Sequence, residues 1–502
     1  MKKIFSILIC SALFAQGAIA QGALDLLTYS RYFSGGTARA TAMSGAFGAL
    51  GGDMSVLSTN PAGIGIYRGT EFTLTLGPSF VTTSSKLNGE NFDEAASFFR
   101  LNNIGYVHTW KPQSERKLRS FTFGFAYNRL SDFSSAAFVD TDVPSSLVED
   151  LTWDANHGDN GQPLQEGRLD DFYTGPAFDT KLIFHDPDNS SDNHYYNDYS
   201  SEGNYLQPMK RTMTNKGGVG EYAISLGFNI NDRMYLGATW GIQSLYHKES
   251  YLHTETPSFQ YLDEFQFRSD YTVTGTGMNF KTGVIFRPIN MLRLAVSIHT
   301  PTRYSLRSEL DTEMDAYYKE PIITSDNANH YNSLSPIGEG KFKLSTPWRY
   351  SAGAAFIIGT FGIIGLDAEY VDYATAKFRP NSDYRNINRE AAQIFRNALN
   401  LKGGAEFRIG PVSLRGGAAY YGTPFAQEHF SSDEFDNEGI ISFSGGVGIR
   451  GRGVYLDMSY VYTKYPPHYY DLYRQNPANN AWLSSVMQEK KHAVNFTVGL
   501  KF

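Results

Sequence analysis

Residues 491–502 read KHAVNFTVGLKF, and the run alternates without a slip. Counting back by twos from the end gives Phe502, Leu500, Val498, Phe496, Val494 and His492. The other set is Lys501, Gly499, Thr497, Asn495, Ala493 and Lys491. Successive side chains of a strand point to opposite faces, so one face here is apolar and the other small and polar. The same alternation recurs back along the chain in 121–127, 222–230, 234–242, 292–298, 350–356, 364–370, 399–409, 412–420, 441–449 and 454–462. With 70–82, 99–110, 266–288 and the terminal run it predicts about fourteen strands.

The connections sort into two kinds that alternate. Short turns fall at 111–117, 231–232, 288–290, 359–361, 410–411 and 451–453. Long connections are expected at 83–98, 134–216, 249–265, 308–340, 379–397, 423–437 and 466–489. Bacterial barrels have an even strand number, with short turns on the periplasmic side and long loops outside. The fold class is therefore all-β, a transmembrane antiparallel barrel of about fourteen strands. The strand ending on Phe502 resembles the signal by which the barrel-assembly machinery recognises outer-membrane barrels.

The other terminus agrees. Lys2 and Lys3 precede an apolar run over 4–14, and Ala18-Ile19-Ala20 offers a small-residue cleavage site, so 1–20 reads as a secretory signal. Cys10, the only cysteine, lies inside it, which leaves no disulfide or thiolate site in the mature chain. The formal net charge is −7, from 44 basic and 51 acidic residues, and becomes more negative by two once Lys2 and Lys3 are removed. That balance excludes nucleic acid as an expected partner. A mean hydropathy of −0.35 with 15% aromatic residues does not fit a bundle of apolar helices. It fits a barrel in which only alternate residues meet lipid and aromatic girdles mark both interfaces. Outer-membrane lipids and lipopolysaccharide are then expected neighbours.

Residues 21–69 do not alternate. Gly, Ala and Ser dominate 34–40 and 43–53, and the segment closes on Asn60-Pro61-Ala62-Gly63-Ile64-Gly65. Such small side chains ahead of the first strand suit packing inside a narrow lumen. Gly45, Gly48 and Gly51 have neither the context nor the Gly-Lys-Ser/Thr of a phosphate loop. This block, with Arg39 and the Asn60-Pro61-Ala62 triplet, resembles the FadL/TodX family of outer-membrane transporters for hydrophobic compounds. So do Thr346-Pro347-Trp348 before Ala354-Ala355-Phe356, and 414–421 before Thr423-Pro424. The resemblance implies a hatch over 21–69 plugging a barrel over 70–502, passive uptake of a hydrophobic small molecule such as a long-chain fatty acid, and sideways exit through a kinked strand. The family places that kink in the third strand. Here 118–133 holds Gly124 but no proline, whereas Gly77-Pro78 in the first strand is the stronger break, because proline cannot donate to a ladder.

If the apolar faces meet lipid, register sends Lys281, Arg287, Arg293, Arg349, Asp367, Glu369, Lys402, Glu406, Arg408, Arg415 and Asp457 inward. Arg or Lys on the lipid face at mid-depth would cost about 2–4 kcal/mol. Some of these charges are expected to hold the hatch through Arg39 and Asp53, with Asn60-Pro61-Ala62 as a gate. Residues 385–399 carry helical spacing and predict a short cap at the mouth. Asp186, Asp188, Asp192 and Asp198 lack the spacing of a calcium loop and read as solvated. The chain has no nucleophile elbow, zinc-protease helix or phosphate loop, so no enzyme, cofactor or metal is expected. Two other readings stay open: a haem receptor using His157, His185, His194, His330 or His468, and a structural or adhesive barrel.

Overall fold

A strand that is apolar at every second residue must set that face against lipid or another sheet. In the computed structural model, which describes residues 22–33, 35–112, 117–158, 161–185, 194–201, 205–258, 261–322, 327–426 and 438–502, the strands close on one another. The signal-peptide reading and Asp186, Asp188 and Asp192 fall outside the described residues.

Twenty hydrogen-bonded segments form fourteen antiparallel staves. These are β1 (Glu71–Leu87), β2 (Glu90–Trp110), β3 (Leu118–Asp132, then Ser135–Val143), β4 (Gln207–Ile230), β5 (Met234–Glu255), β6 (Leu262–Ile289) and β7 (Leu292–His299, then Arg303–Tyr318). There follow β8 (His330–Leu334, Gly338–Ser345 and Arg349–Ile358), β9 (Gly362–Asp372, then Lys377–Arg379), β10 (Asn397–Ile409), β11 (Val412–Tyr421), β12 (Ile440–Arg450), β13 (Val454–Lys464, then His468–Asn476) and β14 (Ala481–Lys501). The ring closes where β1 pairs with β14, from Glu71↔Lys501 to Lys86↔Val486.

The outer face carries exposed Val296, Leu366, Phe407, Leu414, Leu456 and Phe496, while Ser225, Thr239, Asn400, Ser459 and Thr497 are buried within. This is the apolar-out, polar-in pattern of a bilayer barrel. The expected short turns at 231–232, 288–290, 359–361, 410–411 and 451–453 lie at one rim, and at the first of them Asn231 and Asp232 take the positive φ of a tight hairpin (55° and 56°), while most of 111–117 falls outside the described residues.

The other rim differs from expectation. Most of the anticipated long loops are strand: β1 and β2 meet at the two-residue turn Asn88-Gly89, and β5, β6, β7, β13 and β14 run on into 249–265, 308–340 and 466–489. At 28 residues, β6 is far longer than the ~9–11 a bilayer requires. Above the membrane the outer face no longer needs apolar residues, so the alternation fades while the strand continues. The helices α4 (Leu147–Asn156) and α5 (Thr174–Asp179) close this upper tube over a core that includes Val148, Leu151, Phe265, Phe267 and Met314. Buried Glu255 holds the start of α4, accepting from Ser146 Oγ at 2.6 Å and Leu147 N at 2.8 Å. The helix anticipated at 385–399 is present but shorter, Arg385–Ile394, because β10 begins at Asn397.

Candidate functional site

The segment 22–69 lies within the ring and bonds to walls on opposite sides of it. It contains α1 (Ala23–Thr28), α2 (Ala38–Ala42), α3 (Val56–Thr59) and a 3₁₀ turn over Pro61–Ile66. Short residues let it run close to the strands. Thr41 Oγ1 meets Ser459 Oγ at 2.7 Å on β13, and Ser44 Oγ meets Ser444 Oγ at 2.8 Å on β12. Across the lumen, His299 Nε2 on β7 lies 2.6 Å from the Thr59 carbonyl, and Asn128 on β3 donates to Ser58 at 2.9 Å.

The wall is cut to receive it. Gly227, Gly237 and Gly283 stand directly opposite one another on β4, β5 and β6. A Cβ on Gly237 would sit 2.1 Å from the Pro61 carbonyl oxygen, and one on Gly283 would sit 1.9 Å from Asn60 Oδ1. Paired Gly404 and Gly417 seat Met43 in the same way on β10 and β11. These inward glycines escaped the sequence reading because a residue without a side chain is silent in an apolar–polar pattern. Gly283→Val therefore displaces the Asn60 turn; the expected result is a folded, heat-modifiable barrel with raised ion conductance in planar bilayers.

Arg39 is the main charged tether. Thr37 caps α2, its Oγ1 accepting from Ala40 N, which aims Arg39 at β10. Arg39 Nε donates to Glu406 Oε2 at 2.8 Å and its guanidinium stacks 5.2 Å over Phe47. Glu406 also receives Arg415 at 2.7 Å and Arg408 at 2.5 Å, and Arg415 reaches Asp457 at 2.5 Å. Losing Arg39 would leave Glu406 paired with Arg415 and Arg408 on the wall, so the contact fixes where the segment docks more than it adds net stability.

The other inward charges fall into place around it. Arg349 bridges Glu369 at 3.1 Å and the Ser30 carbonyl, and covers the Tyr32 ring at 4.3 Å. Asp367 accepts from Gly48 N at 2.7 Å, and Arg293 donates to the Leu50 carbonyl at 2.5 Å. Lys281 pairs with Glu221, a carboxylate missed by the sequence reading. Arg287, on the same face of β6 as Lys281, lies at the rim and bonds Asn290 in the short turn. Asp53 departs from expectation. It accepts from Thr37 Oγ1 and from Ser55 N, so it braces the segment internally and pairs with no wall residue among those described. Asn60 accepts from Ala62 N at 3.1 Å and donates to the Gly48 carbonyl at 2.7 Å, tying the turn to the middle of the segment.

At the upper end, burial and the neighbouring Glu249 carboxylate push the Asp25 carboxyl of α1 up to about 7. The docked segment thus holds this proton more tightly than the free one. Docking of α1 is most favourable below about pH 4 and weakens as the pH rises through 7. A nitroxide on Leu24→Cys is expected to gain mobility over that rise, and Asp25→Asn to remove the dependence.

The ring has one weak seam. β2 and β3 pair only from Asn103↔Asn128 to Trp110↔Phe121. Above that, β3 shifts register between Arg129 and Ser131 and is interrupted at Phe133 and Ser134, opposite Gly217 and Gly218 of β4. Side chains bridge the seam instead: Arg100 pairs with Asp132, and Arg129 Nε donates to the Leu101 carbonyl at 3.3 Å. The segment reaches it, with Phe33 N donating to the Leu130 carbonyl at 2.9 Å. β1 is interrupted as well: its ladder to β14 skips Gly77-Pro78, between Leu76↔Phe496 and Ser79↔Ala493, and its ladder to β2 shifts register between Thr75 and Leu76. The interruption in β3 arises from a bulge that needs no proline.

No family model matches this sequence, and no curated relative does. Among solved structures, a Pseudomonas aeruginosa FadL homologue superposes with a TM-score of 0.53 at 13% identity, covering 94% of this chain and 100% of its own. The fold is that of the FadL and TodX channels. The P. putida toluene transporter TodX gives a TM-score of 0.51 at 11% identity over 94% of this chain and 99% of its own. Of the histidines named above as haem candidates, His157 stacks on Trp153 at 3.6 Å and His330 on Tyr317 at 4.3 Å.

Proposed function

We propose that the protein carries hydrophobic small molecules, of the long-chain fatty acid type, passively across the outer membrane, with 21–69 as a hatch that moves to admit them. The observation that carries this reading is a lumen filled by a tethered segment beside a seam in the wall. The cavity between segment and wall is lined by Tyr32, Phe33, Leu130, Thr302 and Lys402 among others, and holds about 70 Å³. That is less than half the ~150 Å³ that admits benzene. Cargo therefore passes only if the segment shifts, and an adhesive barrel would have no use for such a tethered plug. Lys402 lies 5.8 Å from the Tyr421 ring and stands directly across the ladder from Asp367. The β2–β3 seam next to Phe33 offers the sideways way out. Asn60-Pro61-Ala62 is the hinge: Pro61 fixes its own φ, and Gly63 and Gly65 flex beside it. Uptake of a labelled fatty acid by Asn60→Ala/Pro61→Ala, folded by heat-shifted gel mobility, is expected to fall well below that of the unaltered protein. Unchanged uptake would leave a turn and no gate.

A further inference from the structure

The upper strands carry a basic patch on the outside of the barrel that the transport reading does not use. Arg303 and Arg307 on β7, Lys341 and Lys343 on β8, and Lys377 and Arg379 on β9 are all exposed, while the residues alternating with them, Tyr304, Leu306, Phe342, Leu344 and Phe378, are buried. All six cations therefore share the outer face. The ladders place them side by side: Lys343 is the direct partner of Arg379, Arg307 of Lys341, and Ser345 stands between Arg303 and Lys377. Like charges directly opposite one another on a sheet repel. Only Arg307 is compensated, by Glu309 at 3.2 Å and Glu339 at 2.5 Å along the upper edge. Arg303, Lys341, Lys343, Lys377 and Arg379 form no ion pair among the described residues.

Depth decides what covers this patch. Along β7 the exposed apolar residues Leu294, Val296 and Ile298 end just before Arg303; along β8, exposed Trp348 and Tyr350 lie just below Lys343; along β9, exposed Tyr370 precedes Lys377. The cations thus begin where the lipid face ends, above the aromatic girdle and on the rim away from the short turns. At that level of an outer membrane, the outer leaflet presents phosphorylated sugars over acyl chains. We infer that this patch binds the phosphorylated disaccharide of lipopolysaccharide, with its acyl chains lying along the apolar face below. Guanidinium and ammonium groups are the donors that phosphate selects. A protein of net charge −7 that concentrates unpaired cations at this one depth has the complementary charge in place.

The test uses the full-length protein extracted from outer membranes in mild detergent, with lipid A retained per barrel read by mass spectrometry. Arg303→Gln/Lys343→Gln/Arg379→Gln is expected to retain about tenfold less, as charge-assisted contacts to phosphate are lost. Lys86→Gln, an exposed cation elsewhere on the outer surface, is expected to retain the normal amount. Re-addition of lipid A to delipidated protein should raise its melting temperature, and dephosphorylated lipid A should not. Equal retention by the triple variant, equal loss in Lys86→Gln, or an equal shift with phosphatidylglycerol or inorganic phosphate would each overturn the assignment. Fatty-acid uptake plays no part in the readout, so the outcome is independent of the cargo.

Discussion

Deleting residues 23–58 is expected to raise single-channel conductance several-fold over that of the intact protein. The segment bonds to strands on opposite sides of the ring, and the cavity it leaves against the β7–β10 wall holds about 70 Å³. Its removal leaves a tube whose inner face carries Arg349, Glu369, Lys402, Glu406, Arg415 and Asp457, groups that hold water and let ions pass. Planar-bilayer recordings measure this directly. Arg39→Ala should give a smaller increase in the same direction, since the tether is lost but the volume stays filled. Equal conductance for the deletion and the intact protein would mean that the segment does not block the lumen.

A second large effect is expected from locking the segment. Ser44 and Ser444 face each other with their hydroxyl oxygens 2.8 Å apart, and the only native cysteine is Cys10. In Ser44→Cys/Ser444→Cys the two sulfurs can form a disulfide with little backbone movement. Under oxidising conditions uptake of a labelled fatty acid should be nearly abolished, and a reductant should restore it. Full uptake by the cross-linked protein, with the cross-link verified by mass spectrometry, would show that cargo passes without movement at Ser44. The hinge would then have to lie wholly within 59–66.

Much of this architecture was legible because lipid imposes a pattern. Where the outer face meets acyl chains, as from Leu399 to Ile409, alternation is strict and the strand is plain in the sequence. Where the same strand rises into water, as from Arg303 to Tyr318, both faces tolerate polar residues and the pattern dissolves. The exception was local: Asn88-Gly89 is a tight-turn pair with positive φ at both residues, and it marks a hairpin inside what composition presents as a loop. Inward charges were legible as a class, because a charge facing lipid is expensive. Their pairing was not. Arg39 had several carboxylates available and found Glu406 because Thr37 caps α2 and sets its direction. Asp53 was drawn to Thr37 and Ser55 nearby, short-range hydrogen bonds that no count of charges reveals. The break in β3 was hidden for a further reason: it comes from a register shift shared with Gly217 and Gly218, far away in the chain.

The closing ladder between β1 and β14 also sets the order in which the molecule can be made. The segment precedes β1 and lies inside a ring whose last stave is the end of the chain. Once Phe502 N has donated to the Thr70 carbonyl and the ladder above it has formed, nothing as bulky as a folded segment can enter sideways from the bilayer. The wall must therefore be wrapped around the segment as it closes, with the glycine rows and Glu406 meeting their partners during closure. Substitutions such as Gly283→Val should then slow maturation, and the barrels that do close should show the raised conductance described above.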